Sequence, residues 1–298
     1  MQKDMLDIKT VHQCNCCMGT CTLHPLVSVI DLSKTNIEHS AVKFDFYTIL
    51  LLKGRCGEYV YGGKYYDYSE ASMLFLAPGE SFRFEKKDIL SLNGWLLAFH
   101  PELLSYTSLG ENMDKYTFFR YHLNEALHVS LKEKTKVVDG IMHIKEELQH
   151  AIDCHTKILI SKHIELLLDY CLRFYERQFI TRQEANKLIM KKVNLILDDY
   201  IQNDQLKCNS LPTAEYCAEL LHLSPQYFVD LLKFETGSTL SEYFQLKRLQ
   251  VSKSLLMDKN NSVAMVASKL GYSNVQCFCS LFKKMTGIAP NEYRFVQN

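Results

Sequence analysis

The 298 residues are 47% hydrophobic and 23% charged. This is ordinary globular usage that excludes a disordered chain, and the length favours two domains. Thirty-four Lys/Arg balance thirty-four Asp/Glu to a net charge of zero, which excludes a polybasic protein but not a DNA binder with a local basic face. No apolar run approaches the roughly 18–20 residues of a spanning helix, and the opening MQKDMLDIKT lacks the apolar core of a signal peptide. The expectation is a cytoplasmic chain with no membrane partner, its eleven cysteines mostly reduced.

In chain order, residues 1–40 read as an irregular Cys-rich segment. Cys14, Cys16, Cys17 and Cys21 lie there, flanked by His12 and His24. Their C-x-C-C-x3-C spacing is not that of a zinc finger, and a loop of reduced thiols is favoured over a metal or redox site. Residues 41–105 read as β. Val42 to Leu52 is one long strand, followed by short strands at 58–61, 65–68, 72–76, 81–85 and 95–99 with Gly and Pro turns between them. Many short strands with frequent turns suggest a sandwich or small barrel.

Residues 106–202 become helical from Asn124, with three helices expected at about 124–153, 156–177 and 183–202. In the middle one, Ile160, Ile164, Leu167 and Cys171 form an apolar stripe widened by Leu159, Leu166 and Leu168. Such breadth marks a buried helix or an interface. The polar stretch NDQLKCNSLP, residues 203–212, is the best linker, although the third helix fits either side of it. Residues 203–298 form a further helical region.

That last region repeats itself. At a shift of fifty, Phe228, Leu231, Lys233, Thr236-Gly237 and Glu242-Tyr243 match Phe278, Leu281, Lys283, Thr286-Gly287 and Glu292-Tyr293. At a shift of forty-nine, Ala218, Leu221 and Ser224 match Ala267, Leu270 and Ser273. The one-residue change is placed between Ser224 and Phe228. Each unit reads as a short helix, a turn, and a second helix with an N-cap at Ser224 and a C-cap at Gly237 in the first copy. The inner faces are Phe228, Leu231 and Leu232, then Phe278, Leu281 and Phe282. Two helices joined by so short a turn are a helix-turn-helix. The outer faces carry Gln226, Val229, Asp230 and Lys233 in the first copy. In the second they carry Asn274, Gln276, Cys279, Ser280, Lys283 and Lys284. Amides read adenine edges and lysines hold phosphates. Ten Lys/Arg against eight Asp/Glu over 204–298 give no strong cationic field. Phe278 and Gly287 are the positions whose replacement is expected to unfold the second unit.

LSPQYFVDLLKFETGSTLSEYFQLKRL and VAMVASKLGYSNVQCFCSLFKKMTGIAPNEYR resemble the two DNA-binding units of the AraC/XylS family of bacterial transcription regulators. The second carries the family signature through Gly271-Tyr272, Phe278, Phe282-Lys283-Lys284, Gly287, Pro290 and Tyr293-Arg294. The resemblance implies an α+β chain: an amino-terminal cupin-like β-barrel plus helices, then an all-α double helix-turn-helix joined by a long helix at about 240–256. It also implies double-stranded DNA as partner, a homodimer, contact with RNA polymerase and activation in response to a small-molecule effector. Asp230 and Ser280 stand where many relatives have Arg, and Cys277 where many have an aromatic.

Phe46, Tyr65, Phe82 and Trp95 are candidate effector-pocket residues, although aromatic stripes are more often core. Between Val42 and Phe99 there is no His, which disfavours a metal-dependent cupin enzyme with an accessory tail. No catalytic constellation is evident, and neither an enzyme activity nor a cofactor is expected. The remaining alternative is a metal- or redox-responsive regulator using Cys14, Cys16, Cys17 and Cys21.

Overall fold

The structure is a computed structural model that describes residues 5–35, 41–53, 71–83, 93–203, 206 and 211–296. The expected strands at 58–61 and 65–68, and Tyr65 with them, lie outside the described residues. The chain divides into two compact units, Met1–Arg182 and Gln183–Asn298. No helix among the described residues is long and apolar enough to cross a membrane.

The first unit is α+β. Its elements are β1 (Met5–Ile8), α1 (Val11–Cys17), β2 (Val27–Asp31), β3 (Ala41–Phe44), β4 (Tyr47–Lys53), β5 (Ala71–Leu76), β6 (Glu80–Arg83), β7 (Gly94–Phe99), α2 (Ser108–Asn112), β8 (Leu127–Val129), α3 (Leu131–Glu147) and α4 (Thr156–Thr181). A five-stranded antiparallel sheet runs β2-β7-β4-β5-β8, and a three-stranded sheet runs β1-β3-β6 with β1 parallel to β3. Leu50, Leu74 and Leu96 from the large sheet share one buried cluster with Ile8, Val42 and Phe44 from the small one. The opposite face of the large sheet is covered too: Phe75 of β5 meets Phe118 at 4.4 Å and Tyr175 of α4 at 6.0 Å between ring centroids. With both faces covered, Thr48 to Leu52 are all buried. That is why β4 reads as a continuous apolar run and not as an alternation.

Three expectations need correction. Residues 5–35, the described part of the segment expected to be irregular, are not so. Thr10 and Gln13 form a capping box that starts α1, and β1 and β2 each enter a sheet. The expected strand Val42 to Leu52 is two strands in different sheets, because the chain bends at Asp45-Phe46, where the Asp45 amide donates to the Ile8 carbonyl at 3.0 Å. The helix expected from residue 124 starts later. Leu127–Val129 is β8, paired with β5, and Ser130 with Glu133 forms the capping box of α3. The free side of β8 is satisfied by a side chain: Gln178 of α4, buried, accepts from the His128 amide at 2.8 Å and donates to the Ala126 carbonyl at 3.1 Å. This closes an edge that would otherwise pair with another strand.

The second unit is all helix: α5 (Gln183–Gln202), α6 (Ala214–Leu221), α7 (Pro225–Thr236), α8 (Leu240–Met257), α9 (Val263–Lys269), α10 (Val275–Thr286) and α11 (Pro290–Val296). The third predicted helix, α5, groups here, so the units divide at 182/183, not at 202/203. The reason is polar as well as apolar. The Tyr243 hydroxyl donates to Asn194 Oδ1 at 2.9 Å, Lys247 Nζ meets Asp198 at 2.9 Å, and Tyr200 packs edge-on against Phe244.

Candidate nucleic-acid interface

The repeat seen in the sequence is a repeat of hydrogen bonds. α6 ends at His222, a left-handed residue, and the Leu223 amide donates back to Ala218 at 2.9 Å. α9 is followed by left-handed Gly271, and the Tyr272 amide donates back to Ala267 at 3.0 Å. Both are the six-to-one closure that satisfies helix-end carbonyls. The second helices end alike. Gly237 and Gly287 are left-handed, at φ 68° and 84°, and each donates to a Lys carbonyl, Lys233 or Lys283, at 2.8 Å. Thr236 and Thr286 each turn a hydroxyl to the carbonyl four residues back, at 2.7 and 2.8 Å.

The N-caps locate the inserted residue. Ser224 accepts from the Tyr227 amide at 3.2 Å. In the second copy the cap is not Ser273 but Asn274, whose Oδ1 accepts from the Cys277 amide at 2.7 Å. From cap to inner aromatic the count is therefore the same in both copies. The extra residue lies before the cap, inside the turn, and not between Ser224 and Phe228 as the sequence comparison placed it.

The inner faces pack as the spacing requires. Phe228, Leu231 and Leu232 are buried in the first unit, and Phe278 and Phe282 in the second, while Leu281 is half-buried. Rings run continuously through the second unit: Tyr272 to Phe278 at 5.1 Å, Phe278 to Phe282 at 5.7 Å, and Phe282 to Tyr293 at 5.5 Å.

On the outer face of α7, Gln226, Val229 and Asp230 are half-buried and Lys233 is exposed. Gln226 Nε2 donates to Asp230 Oδ1 at 3.2 Å, so the two side chains present one joined polar edge. On α10, Gln276, Ser280, Lys283 and Lys284 are exposed and Cys279 is half-buried. Asn274 is exposed, but its carbonyl oxygen is committed to the cap, which leaves its amide nitrogen as the group facing outward. Several other cations of the unit are engaged internally. Arg248 is buried, Lys247 is paired with Asp198, Lys253 lies 5.9 Å from the centre of the Tyr293 ring, and Arg294 holds the Leu256 and Asn261 carbonyls. Lys233, Lys283 and Lys284 are thus the cations that the two helices turn to solvent.

Steric demand falls on a different glycine from the one expected. A Cβ on Gly287 would meet nothing within 4 Å. A Cβ on Gly271, at φ +67°, would lie 2.7 Å from the Leu206 Cβ and 2.8 Å from its carbonyl oxygen. Gly271 is needed twice over, for its backbone angle and for the close approach of another backbone.

Of the candidate effector residues in the first unit, Tyr65 lies outside the described residues and the other three do not share one face of the large sheet. Phe46 and Phe82 lie in the buried cluster between the sheets. Trp95, half-buried, lies under Lys145 with the ammonium 5.0 Å from the ring centre. On β7 it alternates with Leu96, a member of that cluster, and so belongs to the other face of the sheet. The cysteine cluster diverges as well. Cys14 is buried, and desolvation, then the neighbouring Cys17, pushes its thiol up to about 12. Cys16, Cys17 and Cys21 are exposed. Among the described residues no three potential ligands gather into a metal site. His12 Nε2 lies 3.6 Å from Cys16 Sγ, and its Nδ1 bonds the Thr22 hydroxyl, which buried Asn15 also holds.

Residues 217–295 match the helix-turn-helix domain model. These residues lie within the carboxy-terminal unit and run from α6 to α11. Over 82 residues the chain is 39% identical to the HTH-type transcriptional regulator YtdP and 34% identical to YobQ, both of Bacillus subtilis. Each match covers 28% of this chain, and the chain spans 11% and 34% of the lengths of those two relatives. A longer match, 22% identical over 85% of this chain and 86% of the relative, is to the HTH-type transcriptional activator RhaR of Mannheimia succiniciproducens.

Proposed function

We propose that the chain is a sequence-specific DNA-binding transcription regulator whose α7 and α10 read successive major grooves of one duplex. The observation that carries this is the duplicated AraC-type unit, with two equivalent second helices that turn polar side chains to solvent. Gln226, Val229, Asp230 and Lys233 serve the first block of bases. Asn274, Gln276, Cys279, Ser280, Lys283 and Lys284 serve the second, with the lysines on phosphates and Gln276 on a base edge. With three outward cations on α7 and α10, binding relies on shape and base contacts more than on a cationic field.

The amino-terminal unit acts as sensor and dimerisation module in this reading, and the regulator is an effector-responsive activator that contacts RNA polymerase. The activator name of RhaR, matched along most of its length, supports that sign. For the homodimer the support is α4. Its stripe of Ile160, Ile164, Leu167 and Cys171 is buried, yet Leu159 and Leu166 stay 44% and 55% exposed. They leave an apolar flank for a second copy beside the groove formed by Gly140, His143, His163 and Tyr170.

Selection of bound sites from random duplex DNA by the full-length protein tests the central reading. The expected result is a motif of two blocks centred about ten base pairs apart. Absence of any enriched motif overturns it. Sedimentation of the Leu166→Glu variant tests the dimer. A monomer at concentrations where the parent chain is dimeric is expected, and unchanged association removes α4 from the interface.

A further inference from the structure

α8 changes allegiance within one turn. Phe244 is buried against Tyr200 of α5, and Tyr243 and Lys247 bond Asn194 and Asp198 of the same helix, which also packs on α6 and α7. Arg248, one residue further on, faces the second unit. Its side chain is buried, its Nη2 donates to the Leu270 carbonyl at 2.6 Å, and its guanidinium lies 3.7 Å from the centre of the Tyr272 ring. Leu270 closes α9, and Tyr272 stands in the turn that leads to the Asn274 cap of α10. Tyr272 also packs on Phe278, the first inner residue of that helix.

A cation in this position is an expensive way to fill space. Taking a guanidinium out of water is costly, and an apolar side chain of similar volume is often as stable or more so. Among the described residues the Arg248 Nε has no hydrogen-bond partner, so the carbonyl and the ring are the contacts that orient the group. What the guanidinium supplies is direction: a charge-assisted bond along a carbonyl at a helix C-terminus, and a flat face on a ring. The same turn is held from another side, where Leu206 approaches the Gly271 backbone too closely for a Cβ.

We propose that Arg248, through Tyr272, is a clamp that fixes the pitch of α10 relative to α7, and is therefore a positioning residue for reading the second block of bases. The proposal rests on the DNA-binding reading given above. With the turn clamped, the two second helices form one rigid reader. A single base pair inserted between the two blocks rotates the second by about a tenth of a helical turn, which a rigid reader does not follow. With the clamp released, α10 swings to follow the displaced block.

The test uses the full-length protein, the two-block site that it selects, and versions of that site with one base pair added or removed between the blocks. The parent protein is expected to lose at least about tenfold in affinity on either change, the order of a mismatched base pair. Arg248→Met is expected to narrow that penalty to about threefold or less. Arg248→Lys, which keeps the charge but not the planar fork, is expected to resemble Arg248→Met. A residue that merely stabilised the unit would weaken all three spacings by one factor, and that result in Arg248→Met overturns the clamp. Should Arg248→Met not unfold cooperatively, Tyr272→Leu replaces it. That variant removes the ring and leaves the bond to Leu270, and an undiminished spacing penalty in it likewise overturns the proposal. A parent protein that binds a site yet is indifferent to spacing overturns the clamp alone. One that selects no site overturns the DNA-binding reading and the clamp with it.

Discussion

In the first helix-turn-helix unit the left-handed residue of the turn is His222, at φ 56°. In the second it is Gly271, at φ 67°. The two make the same backbone closure onto Ala218 and Ala267, so the difference does not come from the turn itself. It comes from what lies against it. His222 is exposed, whereas Gly271 has the Leu206 backbone within contact distance of any Cβ. A duplicated motif thus keeps its hydrogen bonds in both copies, and its residue types follow whatever each copy is packed against. The N-caps teach the same. The role is constant, but Ser224 fills it in one copy and Asn274 in the other, after a turn one residue longer.

The largest expected effect separates the two turns. Gly271→Ala should destabilise the second unit by roughly 2–5 kcal/mol, from left-handed strain plus overpacking against Leu206. Gly237→Ala and Gly287→Ala, with open space around them, should each cost about 1–2 kcal/mol. Thermal unfolding of the three variants checks the order, and equal losses would mean that Leu206 yields freely. Next come the caps. Ser224→Ala and Asn274→Ala should each cost about 1 kcal/mol, and Ser273→Ala close to nothing. A cost at Ser273 equal to that at Asn274 would restore the forty-nine-residue alignment of the caps. On DNA, Lys283→Ala should lower affinity for all sequences alike and reduce the salt slope by about one, while Gln276→Ala should relax preference at a single base pair. Uniform weakening by Gln276→Ala would remove it from base readout.

The smallest effect concerns the start of α8. Glu242 accepts from the Thr239 amide and hydroxyl, each at 2.8 Å, and those bonds hold its carboxyl below the ordinary 4.5. A depressed carboxylate contributes stability that is present above its unfolded value and lost as pH falls through the folded one. Fraying of α8 measured by amide exchange should therefore increase as the pH falls below about 4.5, and Glu242→Gln should abolish that dependence.

The repeat, its caps and its inner faces were legible because the period is long and the matched residues are chemically demanding: aromatics inside, Gly at left-handed ends. The place of the extra residue was not, because Ser273 imitates a cap in sequence while Asn274 is the one whose oxygen reaches the amide. Gly271 appeared in the sequence only as part of a signature. Its steric partner, Leu206, is sixty-five residues away, and no local pattern announces such an approach. Similarly, the strand at 127–129 was hidden by its shortness, and Ser130 followed by Glu133 was a readable helix start that the apolar periodicity obscured. Arg248 was not singled out in the sequence, since nothing local distinguishes a buried arginine from an exposed one.

Trp95 is the sole tryptophan of the chain, and it lies beneath the Lys145 ammonium in the amino-terminal unit. Excited selectively, it makes the chain's emission a local optical gauge of the contact between β7 and α3. A change in its spectrum when duplex is added would therefore record a change at that one contact, far along the sequence from the helix-turn-helix residues.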